Sequence, residues 1–246
     1  PGEASALRLE RFILEANSFY DMSRFRTIPD AEGKCESNFE IAMRHLPDGW
    51  AKTLRKECIM PIKKSLRRKL ASLTEDELFA LVSYSYDLRK KYPQAAASLN
   101  FAKCLSRFVV TCDEEAEMNV CIHHFKTAVE KCQAMTVQPT ALYCVVLPDC
   151  MEQLLQLENG EEVYWPTFTS WSPSKEAMEQ AASAVSGFVV RLDAPRSACD
   201  ISVFRSACRE AGCEFVLPVN ACLLVKMISA PSSGQSRVVL ELEEVE

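Results

Sequence analysis

The spacing of apolar residues changes once along this chain, at Pro139, and that change limits the fold more than any other feature. Before it, apolar residues recur every three or four positions, opening with Leu7, Leu9, Phe12, Ile13, Ala16, Phe19 and Tyr20. That spacing lines side chains along one face of a helix. After it come short apolar and β-branched runs at 142–147, 162–168, 187–192, 214–217, 223–228 and 237–245, which read as strands. Helices gathered first and strands second make an α+β chain and not the alternating pattern of a parallel α/β sheet.

Helix starts are visible in the same way. Thr74-Glu75-Asp76-Glu77 sets a capping hydroxyl and a carboxylate three residues apart before Leu78, Leu81 and Val82, a capping box. Thr111-Cys112-Asp113-Glu114 repeats the pattern ahead of a helix that should run to Cys132. Among the strands, Ser174 caps one helix expected over 174–186, and Ala230-Pro231-Ser232-Ser233-Gly234 reads as a hairpin loop. The expected division is an N-terminal helical extension, 1–72, and a domain over 73–246 with a helical lobe (73–136) and a β core (137–246) of about six strands.

With 246 residues, 48% hydrophobic and 25% charged, the chain can bury a core and does not have the composition of a disordered segment. A net charge of -6 argues against a protein that coats nucleic acid. Against that acidic background the run Lys52, Arg55, Lys56, Lys63, Lys64, Arg67, Arg68 and Lys69 stands out. It reads as a solvated helix face, or as a surface for an acidic partner: a protein, a nucleic acid or a phospholipid surface. No apolar run reaches the roughly 18 residues of a membrane span. The 12 cysteines contain no CxxC pair and no zinc-site spacing, so no metal is expected. Cys104, Cys121, Cys144 and Cys222 fall on apolar positions and read as reduced core thiols, which fits a reducing, intracellular setting. His123 and His124 are adjacent and so point to different faces of one helix, a structural pair. The opening Pro1-Gly2-Glu3 reads as a processed chain or a domain cut from something longer.

Three blocks in the second half carry chemistry: Leu142-Tyr143-Cys144-Val145, then Phe168-Thr169-Ser170-Trp171-Ser172, then Gly212-Cys213-Glu214-Phe215-Val216-Leu217-Pro218. In order and spacing they resemble the mono-ADP-ribosyltransferases of the arginine-serine-glutamate type. In that family the blocks run Tyr-Arg-Gly, Phe-x-Ser-x-Ser and Glu-x-Glu ahead of Val-Leu-Ile-Pro. The resemblance spans about residues 74–246 and implies a mostly antiparallel β-sandwich with NAD as substrate and no metal. It implies catalytic roles for Glu214 and Ser170, and cofactor contacts from Tyr143, Cys144, Val145, Phe168 and Ser172. Gly212 and Glu210 fall on the acceptor side, with the acceptor an unknown macromolecule.

Cleaving the nicotinamide–ribose bond passes through an oxocarbenium-like state, so a carboxylate beside the ribose stabilises the charge that develops. Glu214 is the candidate for that carboxylate, and the resemblance implies that the Ser170 hydroxyl orients it. Where the family has its phosphate-holding Arg this chain has Cys144, and no Arg occurs between Arg107 and Arg191. The Gly after that Arg is Val145, and the upstream Glu is Gly212. Arg107, Arg191 and Lys175 are the cations to inspect as substitutes. Two readings follow: an ADP-ribosyltransferase or NAD glycohydrolase, or an inactive relative whose fold serves as a protein- or nucleotide-binding module. Read without the family, Glu214 is also a solvated strand end, and Ser170 and Ser172 a polar approach to a helix cap.

Overall fold

The computed structural model describes residues 13–14, 22, 49, 52–53, 55–65, 71–85, 116–207, 213–229 and 238–245. In chain order they form β1 (Ile13–Leu14), a π-helical turn (Arg55–Ile59) running into α1 (Met60–Ser65), α2 (Glu75–Ser85) and α3 (Ala116–Gln133). Then come β2 (Ala141–Val146), a 3-10 turn (Pro148–Cys150) leading into α4 (Met151–Leu154), β3 (Glu162–Tyr164), β4 (Thr169–Trp171) and α5 (Lys175–Ala184). The chain continues with β5 (Phe188–Asp193), β6 (Cys199–Asp200), α6 (Ser202–Ala207), β7 (Phe215–Leu217), β8 (Cys222–Ile228) and β9 (Val238–Glu244). Two compact units result: residues 1–26, 137–198 and 214–246 form the first, and residues 27–136 and 199–213 the second.

The first unit holds a six-stranded sheet in the order β1-β2-β5-β9-β8-β3. Its β2/β5, β3/β8 and β8/β9 pairs are antiparallel, while β5/β9 and β1/β2 are parallel. A separate antiparallel pair joins β4 to β7. This is the α+β architecture that the change of period anticipates, with the mostly antiparallel pairing that the resemblance implies. Alternation along β2 shows how it packs: Leu142, Cys144 and Val146 face a core shared with Trp171, Leu192, Leu217 and Leu240. Tyr143 and Val145 face the other way, toward Met178, Ala181 and Ala182 of α5.

Three local readings differ from expectation. Ile13–Leu14, spaced like a helix, form a two-residue strand beside Val145 and Val146, because the main-chain groups on the open edge of β2 need partners and local periodicity is a weaker demand. The run 162–168 is not one strand: β3 ends at Tyr164, and Pro166, which has no N–H to give a ladder, separates it from β4. Helix α5 begins as expected, with the Ser174 hydroxyl accepting the Ala177 N–H at 3.2 Å, but stops at Ala184 and not at Ser186. Ser186 takes a left-handed φ of 55° and the Gly187 N–H donates to the Ala182 carbonyl at 2.7 Å, closing the helix in a Schellman turn. Gly187 has a further reason to lack a side chain, since a Cβ there would stand 2.7 Å from the Val146 carbonyl oxygen. The short β6 carried no signal in the spacing, and the expected hairpin loop at 230–234 lies outside the described residues.

In the second unit the first capping box forms as read. The Glu77 N–H donates to the Thr74 hydroxyl at 3.2 Å, and the Thr74 N–H donates back to Glu77 at 2.9 Å. Buried Glu77 also accepts from Lys131 Nζ at 2.7 Å, tying α2 to α3, and Tyr84 stacks on Phe125 with centroids 4.7 Å apart. Arg55 and Lys63 of the basic run both reach Glu75 in the first turn of α2, at 2.6 and 2.8 Å, where a carboxylate is already favoured by the helix dipole. The second box, Thr111 to Glu114, and Arg67, Arg68 and Lys69 lie outside the described residues, and α3 ends at Gln133. Replacing Thr74 with Ala should lower stability by about 1 kcal/mol, read as a shift in the urea midpoint. Glu77→Ala, which removes the reciprocal cap and the tie to Lys131 together, should cost more.

Candidate active site

Antiparallel pairing of β4 with β7 sets Thr169 opposite Leu217, Ser170 opposite Val216 and Trp171 opposite Phe215. Opposite residues share a face and faces alternate along each strand. Ser170, Val216 and Glu214, the residue before β7, therefore lie on one side, and Thr169, Trp171, Phe215 and Leu217 on the other. The Ser170 hydroxyl donates to Glu214 Oε1 at 2.5 Å, with both side chains fully buried. A hydrogen bond to a carboxylate is shorter and roughly twice as strong as one between neutral groups. It fixes the carboxylate's orientation through a strand and not through a loop.

The opposite face of β4 supplies the anchor. Thr169 Oγ1 accepts an indole N–H from Trp165 and another from Trp171, each at 2.7 Å, and all three residues are buried. Sequence reasoning missed this residue, though two Trp residues flanking a Thr in a strand are a usable signal, since a buried indole N–H needs an acceptor. Ser172, on the same side as Ser170, accepts the Ser174 N–H at 3.2 Å. Its main chain exchanges hydrogen bonds with Tyr143 in both directions at 2.8 Å, so the end of β4 is pinned to β2. Phe168 is buried in the link that enters β4.

The first block is placed differently. Cys144 is fully buried in the core of the sheet. Burial first, and the neighbouring Cys150 second, push its thiol well above the ordinary cysteine range, so it is a neutral group at physiological pH. Val145 packs against α5, and the edge of β2 at Val145 is paired with Ile13. Of the substitute cations, Arg191 is held by Asp193 (Nε to Oδ1, 2.9 Å) and approaches Glu241 at 3.7 Å, and Lys175 pairs with Glu179 at 3.6 Å. Arg107, Glu210 and Gly212 lie outside the described residues. His123 and His124 are half-buried with their rings edge to face at 5.6 Å. Among the described residues no group of three or more His, Cys, Asp or Glu is placed to hold a metal ion, and no helix is long and apolar enough to cross a membrane.

No protein-family model matches the sequence, and no curated protein matches it by sequence. Solved structures do match the fold. The ADP-ribosyltransferase HopU1 of Pseudomonas syringae pv. Tomato DC3000 superposes with a TM-score of 0.58 at 14% identity, covering 100% of this chain and 98% of its own. The type III effector XopAI of Xanthomonas axonopodis pv. citri gives 0.59 at 12% identity, covering 100% and 94%. Exoenzyme S of Pseudomonas aeruginosa, solved in complex with human 14-3-3 protein beta and bound to carba-NAD, gives 0.50 at 16%, covering 80% and 86%. The chain has the fold of these bacterial proteins.

Two measurements test the geometry. Thr169→Val leaves two buried indole N–H groups without their acceptor and should cost about 1–3 kcal/mol per group, read by urea denaturation followed in far-UV circular dichroism. Cys144 should resist iodoacetamide at pH 8 in the folded chain while exposed Cys213 reacts, because a thiol whose pKa is raised holds its proton at that pH.

Proposed function

We propose that this chain cleaves the nicotinamide–ribose bond of NAD and passes ADP-ribose to an acceptor, as a mono-ADP-ribosyltransferase or an NAD glycohydrolase. The observation that carries the reading is the Ser170–Glu214 hydrogen bond at 2.5 Å, between β4 and the residue that leads into its neighbour β7. In the proposed reaction Glu214 Oε2 lies beside the ribose and stabilises the positive charge that grows on it as the glycosidic bond lengthens. Ser170 holds Oε1 and so turns the other oxygen toward the sugar. Nicotinamide leaves with the bonding electrons, and a nucleophile from the acceptor, or water, attacks the anomeric carbon. In this reading Tyr143, Phe168 and Ser172 are the cleft contacts, with Gly212 and Glu210 on the acceptor side, whereas Val145, paired on both edges of β2, has no main chain to offer.

A second reading has its own observations. Cys144 sits in the core in place of the family's Arg, and Ser170 and Glu214 are fully covered. Both favour a descendant that keeps the fold as a protein- or nucleotide-binding module. The basic run is the surface such a module offers to an acidic partner. NAD binding by calorimetry and nicotinamide release on the same sample separate the two. An enzyme releases nicotinamide, and Glu214→Gln lowers the rate by about 100-fold or more while Ser170→Ala lowers it less. Absence of release with NAD still bound supports the module, and absence of both removes NAD from the account.

A further inference from the structure

The basic run has no part in the candidate active site, and its described portion is a helix with two unlike faces. The π-helical turn and α1 follow one another without a break from Arg55 to Ser65. Ile59 and Ile62 are buried and seat one face within the second unit. Lys52, Lys56, Met60 and Lys64 recur every four residues, and all four are exposed. Residues at that spacing share one side of a helix.

The cations divide by whether the fold uses them. Arg55 and Lys63 both reach Glu75, at 2.6 and 2.8 Å. Lys52, Lys56 and Lys64 have no ion pair or side-chain hydrogen bond among the described residues. Glu57 is the only acid between positions 52 and 65, so five cations meet two carboxylates and the face stays positive on a chain of net charge -6. An acidic chain is repelled by an anionic surface everywhere else, and a patch of this sign selects the side that approaches.

The apolar member of the face decides which anion fits. Met60 is 57% exposed between Lys56 and Lys64. The phosphates of a nucleic acid or the carboxylates of an acidic protein would satisfy the lysines and leave an unbranched thioether in their midst with nothing to bury it. A bilayer interface serves both, with charged headgroups for the amines and the acyl boundary just beneath for the methionine. The lysines match it as well. An ammonium is a point charge on a flexible stem, suited to headgroups that diffuse, and the stem lies along apolar surface while the amine stays in water. The one guanidinium, whose planar fork suits a fixed partner, is the cation already taken by Glu75.

We propose that this exposed face, Lys52, Lys56 and Lys64 around Met60, docks on an anionic phospholipid bilayer. The contact is shallow and reversible, and it does not depend on what Glu214 does. Each lysine contributes about fivefold to partitioning, and Met60 about tenfold.

The test uses the full chain, cosedimented with phosphatidylcholine vesicles that carry either no phosphatidylserine or about 30 mol% of it. The expected result is binding to the anionic vesicles alone, reversed by high salt. Lys52→Gln, Lys56→Gln and Lys64→Gln combined should lower partitioning about 100-fold, and Met60→Ser alone about tenfold. Polyuridylate and polyglutamate, added at equal charge, should leave the chain on the vesicles. The proposal is overturned by no binding to anionic vesicles at low salt, by preference for either polyanion, or by a triple variant that binds like the unaltered chain. If the variants do not fold, acetylation of the unaltered chain read by mass spectrometry decides. Anionic vesicles should slow modification of Lys52, Lys56 and Lys64 relative to Lys175, and equal rates with and without vesicles would overturn the assignment.

Discussion

One antiparallel register carries the candidate site. Because Ser170 is opposite Val216, Glu214 lies diagonally across from Ser170 on the same face, and the hydroxyl reaches the carboxylate at 2.5 Å without help from a loop. A shift of one residue in that pairing would send Ser170 to the core face and bring Thr169 toward Glu214. The register is defended from behind by the two indoles on Thr169 and from the end by the exchange between Ser172 and Tyr143. Each defence acts on β4, a strand of only three residues. So short a strand does not fix its own alignment, and its neighbours do so for it.

The same reliance on cross-ties runs through both units. In the first, the Glu244 carboxylate accepts the N–H groups of Arg196 at 2.5 Å and Ser197 at 3.0 Å, and the Gln138 amide donates to the carbonyls of Arg196 and Ala198. The irregular chain after β5 thus has partners for its main chain, as buried backbone must. In the second, Glu77 serves at once as helix cap and as partner to Lys131. These carboxylates are placed by the sheet or the helix they belong to, and they secure segments that have no regular hydrogen bonding.

What the residues disclosed followed from how local the cause was. The change of period at Pro139, the Thr74 box and the Ser174 cap are decided within a few neighbouring residues, and they formed as read. The pairing of Ser170 with Glu214 was legible only through the order of the blocks, since the residues are far apart in the chain. Elements decided by distant partners were not legible. Ile13–Leu14 became a strand because β2 had an edge to fill, and Thr169 gained its role from two Trp residues whose approach depends on the fold. The core position of Cys144, by contrast, was legible from its apolar place in the run that became β2, although the order of the blocks set the same residue at a cofactor contact.

The Trp165 and Trp171 rings have their centroids 5.2 Å apart and are tilted by 56°. At that separation and tilt the strong far-ultraviolet transitions of the two indoles couple, so the pair contributes to circular dichroism as one chiral unit. Because the Thr169 hydroxyl holds both rings, their mutual angle is a reading of the strand that carries Ser170. The protein contains an intrinsic optical gauge, one residue away from the hydroxyl on Glu214, whose far-ultraviolet couplet registers a twist of that strand.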